Sequence, residues 1–455
     1  MPIERRLWHF AVLSSTGTGH LNPLIALAQE LIGRGHRITF CEKPKIADRI
    51  QRAGLEFVPL PADRNPMPAK PKPHRCRLLS DYAGLRFNLK RVGCEIESYL
   101  RELPVALAQA GVEALIVDEI ALSGPTVAEQ LRLPYLVIST SVPRNTGWKA
   151  FSWCAGYKYV ESPLSWLQSV LLEQSALHVH GPLRRTLDRH RQLAGLQPIR
   201  RLQPTYPPLA QITQLPEYLD LPNVSLPSWF SYTGPFISQE SRPTVHFPWH
   251  HLDGRPIVYA SLGTTRNAQA RIFRLIAEAC LDLDVQLIIS LGGRFDAAAF
   301  ANLPGRPVVV DFAPQLELLK LATLVITHGG SNTVLEALME GKPMIAIPIA
   351  YDQPAVAARV VRAGAGIALP VMRLSARRIR AAILAILQDP AYRDAALKSR
   401  RALRSQDGAA QAARIIEDAL HRYLTNTVSP NEWKLGCEDA SQHSGEVLEH
   451  LHTAI

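Results

Sequence analysis

Long apolar runs and paired cysteines are both missing from this sequence. No stretch of the 455-residue chain reaches the roughly 18 uninterrupted apolar residues that a membrane-spanning helix requires. Arg5 and Arg6 precede a short apolar run at 7–13 with no small-residue cleavage site, so this run is predicted to be a first β-strand rather than a signal peptide. The scattered cysteines form no CxxC pair and indicate neither a zinc site nor a disulfide framework, which fits a reducing cytoplasm. They are Cys41, Cys76, Cys94, Cys154, Cys280 and Cys437.

Acidic residues are scarce in two segments, although the chain as a whole carries a formal net charge of only +10. Residues 64–91 contain a single acid, Asp81, and a second basic group lies within 184–201. The basic residues of the two groups are Arg64, Lys70, Lys72, Arg75, Arg77, Arg86, Lys90 and Arg91, then Arg184, Arg185, Arg189, Arg191, Arg200 and Arg201. No nucleic-acid-binding motif accompanies them, so no nucleic-acid partner is predicted. Attraction to anionic lipid headgroups and an ordinary solvated surface both remain open. The expected location is the cytoplasm, with peripheral membrane contact as the alternative.

Short apolar segments alternate with helix-like segments in two parts of the chain, which is too long for one compact core. In the first part, strands are predicted at 9–14, 36–41, 114–117 and 135–138, with helices at 21–34, 46–53 and 126–131. In the second part, strands are predicted at 257–260, 285–290, 308–310, 324–327 and 344–347, with helices between them. This alternation predicts α/β architecture, with two Rossmann-like parallel-sheet domains and a ligand held between their carboxyl ends.

The predicted domain boundaries follow changes in composition. They are 1–235 for the first domain, 236–255 for a linker, 256–408 for the second domain, 409–424 for a C-terminal helix and 425–455 for a disordered tail. Within the first domain, the Pro- and Lys-rich segment 61–80 is predicted to be a long loop. The aromatic stretch 148–173 is typical either of core packing or of a surface for an apolar ligand or membrane.

The densest chemistry of the chain lies between residues 311 and 353. The predicted strand 324–327 runs directly into His328-Gly329-Gly330 and then into a helix. A helix N-terminus offers unpaired N–H groups and a positive dipole end, so it can bind an anion, and glycines let a diphosphate approach the backbone. Glu336 lies on the same helix face as Asn332 and could accept hydrogen bonds from a ribose diol. Asp352 and Gln353 follow a later strand, where a carboxylate and an amide could bind hydroxyl groups.

This string resembles the signature of the UDP-glycosyltransferase family, which has the GT-B fold. The family pattern runs aromatic-Ala-Pro-Gln, then His-x-Gly-x-Asn-[Ser/Thr]-x-x-Glu, then Asp-Gln, at the spacings found here. The resemblance covers residues 8–424. It implies that Phe312, where plant members usually have Trp, stacks on the base, while Ala313 meets the base edge through its backbone. Because Phe replaces Trp, uracil is expected and donors containing thymine are not excluded.

The resemblance also implies roles for the remaining donor-site residues. Gln315, Asn332 and Glu336 would hold the ribose and its surroundings. His328 and the helix start, which includes Gly330, Ser331 and Thr333, would hold the diphosphate, and Asp352 and Gln353 would bind the sugar. Family members also place a Ser/Gly/Thr loop beside the diphosphate, which here corresponds to Ser261, Gly263 and Thr264.

One motif is typical of a metal site but is interpreted here as a turn. Asp282-Leu283-Asp284 matches the DxD pattern that holds a metal-bound nucleotide sugar in other enzymes. It lies between a predicted helix and the amino end of a strand, away from the ligand end of the sheet. A turn is therefore predicted, and neither a metal nor another cofactor is expected.

The loop after the first strand reads Gly17-Thr18-Gly19-His20-Leu21-Asn22 and nearly matches a dinucleotide fingerprint, with Glu42 near the end of the second strand. The third glycine is replaced by Asn22, so an NAD-binding oxidoreductase is the less favoured alternative. The preferred hypothesis places His20 in the cleft as general base. Asp118 ends a neighbouring strand and could fix the imidazole tautomer, and the family resemblance implies such a His–Asp pair.

Several stretches resemble bacterial carotenoid (zeaxanthin) glucosyltransferases in particular, above all residues 207–222. The resemblance implies an inverting transfer of glucose from UDP-glucose to a hydroxyl of a hydrophobic acceptor. The segment around His20 is closer to macrolide and flavonoid enzymes, so macrolide, flavonoid or sterol-like acceptors remain alternatives. A non-catalytic activator protein related to glycosyltransferases is the alternative from another functional class.

Overall fold

The computed structural model describes residues 6–61, 77–143, 179–199, 209–220, 226–264, 270–293 and 295–425. Within them the chain forms two parallel β-sheets, each covered by helices on both faces, which confirms the predicted fold class. The predictions at 62–76, 144–178 and 426–455 lie outside the described residues, including the aromatic stretch and nearly all of the predicted tail.

The first lobe is built on a seven-stranded sheet in the order β3-β2-β1-β4-β5-β6-β7. Its strands are β1 (His9–Leu13), β2 (Arg37–Glu42), β3 (Glu56–Pro59), β4 (Ala114–Asp118), β5 (Tyr135–Ser139), β6 (Gln211–Thr213) and β7 (Phe230–Tyr232). Its helices are α1 (Thr18–Gly33), α2 (Ala47–Arg52), α3 (Arg77–Ala110), α4 (Gly124–Leu131) and α5 (Gly181–Leu193). The central strands β1 and β4 are buried along their whole length because both of their faces pack against helices.

The second lobe is built on a six-stranded sheet in the order β10-β9-β8-β11-β12-β13. Its strands are β8 (Ile257–Ser261), β9 (Gln286–Ser290), β10 (Val308–Val310), β11 (Ala322–Thr327), β12 (Met344–Ala346) and β13 (Gly366–Ala368). Its helices are α6 (Ala270–Cys280), α7 (Gln315–Leu321), α8 (Ser331–Met339), α9 (Gln353–Arg362), α10 (Ala376–Gln388) and α11 (Pro390–Arg404), and α12 (Gly408–Leu424) follows.

The last helix returns to the first lobe. Ala413, Ile416 and Leu420 of α12 are buried in the same apolar core as α1. Glu417 accepts hydrogen bonds from Arg34 and lies 3.1 Å from Nε2 of the buried His36. Helix α12, which follows the second lobe in the sequence, therefore belongs to the first lobe.

A buried ion pair also joins the lobes. Arg359 of α9 pairs with Asp220, which follows β6, and both side chains are only 4% exposed. Tyr232 of β7 donates a second hydrogen bond to this carboxylate, at 2.7 Å. Burial of two charges is tolerated when the partners and their hydrogen bonds are complete, as they are for Asp220. The contact fixes α9, the helix that begins at Gln353, against the first lobe.

Two expectations from the sequence need correction. The segment 61–80 was predicted to be a loop, but residues 77–80 form the first turn of the long helix α3. Arg191 was grouped with surface basic residues, but its side chain is fully buried. It donates to Glu129 at 2.6 Å and to the carbonyl of Gln197 at 2.6 Å, so it holds α5 in place and does not contribute to a basic surface.

No helix within the described ranges is long and apolar enough to cross a membrane.

Candidate active site

The strand registers bring the predicted site loops together at the carboxyl edges of the two sheets. Leu13 of β1 pairs with Val117 of β4, so the loop leading to His20 begins beside Asp118. In the second lobe, Thr327 of β11 pairs with Ser261 of β8 and with Ala346 of β12. The loops that carry residues 261–264, 328–330 and 349–353 therefore leave the sheet side by side.

His20 lies in the first turn of α1, and its Nδ1 is 2.9 Å from Oδ2 of Asp118. The Asp118 side chain is only 1% exposed, whereas that of His20 is 25% exposed. Thr140 Oγ1 also lies 2.8 Å from Nδ1 of His20. A carboxylate oxygen can only accept, so the position of Asp118 beside Nδ1 favours the tautomer that carries its proton there, which leaves the lone pair of Nε2 to accept a proton. The structure thus brings together the two residues predicted as base and orienting acid.

The N-terminus of α8 follows β11 through a tight glycine loop. Gly329 has φ +81°, and a Cβ at this position would lie 3.2 Å from the carbonyl oxygen of Gln353. Gly263 and Gly330 enclose the His328 ring, because a Cβ on either glycine would lie within 2.7 Å of a ring atom. Only glycine at these positions lets the imidazole, the 261–264 loop and the helix start approach so closely.

His328 is held in its neutral form. Burial lowers its pKa from the usual value to about 4, even though the charge of Asp352 and a backbone hydrogen bond at Ser261 act in the opposite direction. A neutral imidazole beside a helix N-terminus offers a single N–H donor and no full charge. Most of the positive potential in this part of the site therefore comes from the backbone of α8.

The predicted nucleoside end of the site contains a network around Glu336. This carboxylate is 1% exposed, and its Oε2 accepts a hydrogen bond from Gln315 Nε2 at 2.5 Å. Tyr259 Oη donates to Gln315 Oε1 at 3.1 Å and so fixes the amide orientation. The second carboxylate oxygen of Glu336 accepts a hydrogen bond from Arg242.

Phe312 precedes Gln315 of this network by three residues in the sequence. A Cβ on Gly293 would lie 2.3 Å from the tip of the Phe312 ring, so the ring packs against the backbone there. The residue is nevertheless 49% exposed. A half-exposed aromatic ring is suited to stacking with a planar base. The neighbouring Ala313 is partly buried in the core of the second lobe.

The two predicted sugar-binding residues, Asp352 and Gln353, both form hydrogen bonds within the protein, and they differ in the groups left for a sugar. Asp352 accepts hydrogen bonds from Ser331 Oγ, at 3.2 Å, and from Ser141 of the first lobe. Gln353 uses its Oε1 to accept from the backbone N–H groups of Ile349 and Ala350 at 2.8 and 2.9 Å. Both serine hydroxyls donate to Oδ2 of Asp352 and so occupy only that oxygen of the carboxylate, whereas Gln353 can offer a sugar only its NH₂ group.

Asn332 connects the two lobes at the centre of the cleft. Its Nδ2 donates to the carbonyl of Gly19 at 2.7 Å, and its Oδ1 accepts from Gln214 Nε2 at 2.7 Å. Gly19 directly precedes His20, so the N-terminus of α8 lies against the N-terminus of α1. The predicted base and the predicted diphosphate site therefore face each other.

The remaining predicted donor residues lie around this centre. Thr333 is nearly buried, with Oγ1 at 3.4 Å from Gln315 Nε2. Ser261 is buried at the end of β8, and Thr264 follows Gly263, whose φ is +73°. All of them lie on the loops that meet at the carboxyl edge of the second sheet.

The residues of two alternative motifs lie in a turn and in the core. Asp282 has φ +59° and lies in the turn between α6 and β9, so the DxD sequence is a turn, as predicted. Glu42 is fully buried and accepts hydrogen bonds from Tyr99 Oη and from the N–H of Lys43. Burial raises its pKa to about 7. A buried acid with these partners is not placed to bind the ribose of a dinucleotide.

Sequence reasoning missed four residues that contact the predicted ones: Thr140, Ser141, Gln214 and Arg242. Thr140 and Ser141 come directly after β5, and Gln214 directly after β6. These three residues could have been predicted only from their position at the carboxyl end of a parallel strand. Arg242 lies in the linker and has no such signal.

Two parallel-sheet lobes, with a His–Asp pair on the first and a glycine-lined helix start on the second, are typical of glycosyltransferases of the GT-B class. Residues 11–147 match the family model "Glycosyltransferase family 28 N-terminal domain". Residues 274–419 match "Erythromycin biosynthesis protein CIII-like, C-terminal domain".

Comparison with curated proteins places the chain among enzymes of this class. It is 31% identical to the zeaxanthin glucosyltransferase of Pantoea ananas, over 90% of this chain and 96% of that protein. It is 33% identical to the zeaxanthin glucosyltransferase of Pseudescherichia vulneris, over 90% of this chain and 98% of that protein. The demethyllactenocin mycarosyltransferase of Streptomyces fradiae is 28% identical over 91% and 87%. The chain therefore belongs to the UDP-glycosyltransferase family of GT-B enzymes.

Solved structures agree on the fold. The glycosyltransferase of kitacinnamycin superposes with a TM-score of 0.72 at 25% identity, covering 91% of this chain and 99% of the other. The calicheamicin glycosyltransferase superposes with a TM-score of 0.70 at 24% identity, covering 92% and 99%.

Proposed function

We propose that the protein transfers glucose from UDP-glucose, with inversion, to a hydroxyl of a hydrophobic acceptor, and that this acceptor is a carotenoid such as zeaxanthin. The observation that carries the proposal is the position of His20. Asp118 and Thr140 fix its Nδ1, and Asn332 joins the adjacent Gly19 to the predicted diphosphate site. A base and a leaving-group site in one cleft are what a direct displacement requires.

The proposed reaction is a single displacement. His20 Nε2 removes the proton from the acceptor hydroxyl as its oxygen attacks the anomeric carbon. The bond from that carbon to the diphosphate oxygen breaks, and UDP takes the electron pair. Asp118 stabilises the imidazolium that forms. The N-terminus of α8 stabilises the negative charge on the leaving diphosphate, so that no metal ion is required in this proposal.

Two features support a uridine nucleotide as the donor. Phe312 offers a half-exposed aromatic ring, and Glu336 is a buried carboxylate that can accept hydrogen bonds from a ribose diol. A dTDP-sugar has only one of these two hydroxyl groups. One solved rhamnosyltransferase of the same fold is a complex with thymidine diphosphate, so dTDP-sugars are the donors to compare.

The carotenoid acceptor is supported by the two zeaxanthin glucosyltransferases among the relatives. Such an acceptor resides in a membrane, and the basic residues at the start of α3, including the exposed Arg86, could contact anionic headgroups there. A macrolide acceptor is the second candidate, because the mycarosyltransferase relative shares a similar extent of the chain.

The acceptor is tested by incubating the protein with UDP-glucose and liposomes that carry zeaxanthin, followed by mass spectrometry. We expect zeaxanthin mono- and diglucosides, and a lower rate at high salt because screening weakens contact with an anionic surface. Efficient glycosylation of a macrolide or flavonoid with zeaxanthin untouched would show that the acceptor proposal is wrong.

The metal-free step is tested by running the same reaction in EDTA, where the rate should be unchanged. Loss of activity that Mg²⁺ or Mn²⁺ restores would overturn the metal-free step.

A further inference from the structure

Arg242 is the cation that pairs with the buried carboxylate of the nucleoside site. It donates to Oε1 of Glu336, while Gln315 donates to Oε2 at 2.5 Å. The Glu336 side chain is 1% exposed and that of Arg242 is 21% exposed. A carboxylate that accepts from two donors still has lone pairs for ligand hydroxyl groups.

The backbone around Arg242 is fixed to both lobes. Its N–H donates to the carbonyl of Gln239 at 3.1 Å and closes a turn in the linker. Ser238 of this turn donates to Gln29 of α1 at 3.2 Å, and Gln239 donates to Glu317 of α7 at 2.5 Å. The linker segment 238–242 is therefore a positioned element, and it brings a guanidinium from outside both sheets to the nucleoside site.

The guanidinium has donors to spare, and one of them is buried. Within the described part of the chain, the buried Nε of Arg242 has no hydrogen-bond partner. Arg49 of α2 lies close enough that its pKa falls to about 10, first because of burial and then because of the positive charge of Arg242. A second cation thus lies near Arg242, and a buried N–H donor remains to be satisfied.

We propose that Arg242 is a ribose-binding residue, acting with Glu336 on the hydroxyl groups of the donor nucleotide. A hydroxyl both donates and accepts, so a ribose hydroxyl can donate to the Glu336 carboxylate and accept from the Arg242 guanidinium. Base stacking or diphosphate binding alone would not require this pair. The inference rests on the proposed use of a UDP-sugar and adds a residue from the linker to donor recognition.

The test measures the dissociation constants of UDP and of 2′,3′-dideoxyuridine diphosphate for the full chain by calorimetry. The two ligands share base and diphosphate and differ only in the ribose hydroxyl groups. We expect Arg242→Met to weaken UDP binding by about tenfold or more, as for the loss of hydrogen bonds involving a charged group. Binding of the dideoxy ligand should change by less than about threefold, and Arg242→Lys should recover part of the UDP affinity.

Arg255→Met is the matched control, since Arg255 is an exposed arginine at the end of the same linker and pairs with Asp253. It should bind both ligands like the wild type. If Arg242→Met does not fold, the comparison is made with Arg242→Lys, which should lose affinity for UDP more than for the dideoxy ligand. Equal losses for the two ligands, or no loss, would overturn the ribose-binding role while UDP-glucose turnover by the wild type stands. A wild-type protein that does not bind UDP would overturn the proposed donor and this inference together.

Discussion

Replacing His20 with alanine is expected to lower kcat by about 10²–10⁴-fold, the range typical for loss of a general base. The affinity for UDP should remain nearly unchanged, because the residues proposed to bind the diphosphate and the ribose lie on the second lobe and in the linker. His20 Nδ1 is held 2.9 Å from the buried Asp118, so the imidazole is oriented before any substrate binds. The measurement is steady-state kinetics with UDP-glucose, together with calorimetry of UDP binding.

His246→Ala is the control for this experiment, since His246 is exposed and lies in the linker. Asp118→Asn should lower kcat in the same direction as His20→Ala, because it disturbs the tautomer while leaving the imidazole in place. A His20→Ala variant that loses UDP affinity as strongly as turnover would show that the histidine is structural.

Gly330→Ala is expected to weaken UDP binding by about 10²-fold, the cost associated with misplacing a site by about 1 Å. The new Cβ would lie 2.6 Å from Nε2 of His328, and Gly263 blocks the other direction, since a Cβ there would also be within 2.7 Å of the ring. Either the imidazole or the start of α8 must move. Both movements displace the groups proposed to hold the diphosphate. Calorimetry of UDP binding measures the effect.

Gly33→Ala is the matched control for this glycine substitution. Gly33 is the last residue of α1, and a Cβ there would meet nothing within 4 Å. It should bind UDP normally and unfold at the same or a slightly higher temperature, because alanine favours a helix more than glycine does. Unchanged UDP affinity in Gly330→Ala would show that the glycine loop does not form the diphosphate site.

Features that depend on residues adjacent in the sequence were the ones that could be predicted best. The apolar runs of β1, β4, β8 and β11 are recognisable because strands covered on both faces must be apolar along their length. The short strands β3, β6, β7 and β13 were not predicted, because each includes polar residues, glycine or proline and is too short for a periodicity to show. The equally short β10 and β12 were recognised because their residues are all apolar. The long helix α3 was missed because its start follows a Pro- and Lys-rich segment that favours a loop.

The same distinction applies to the site. The glycine loop and the helix after it lie within one short segment, so a possible anion site could be predicted from neighbouring residues in the sequence. The contacts of Ser141 with Asp352, of Gln214 with Asn332 and of Arg242 with Glu336 connect residues about a hundred or more positions apart. They depend on how the two lobes and the linker pack, and no local pattern in the sequence encodes that packing.

The central claim is a single displacement between His20 and the nucleotide site, and the anomeric configuration of the product tests it most directly. UDP-glucose carries its glucose in the α configuration. We expect nuclear magnetic resonance of the glucoside made by the wild-type protein to show the β configuration, with one UDP released for each glucosyl group transferred. An α-glucoside, or UDP release without transfer to any hydroxylated acceptor, would contradict the account.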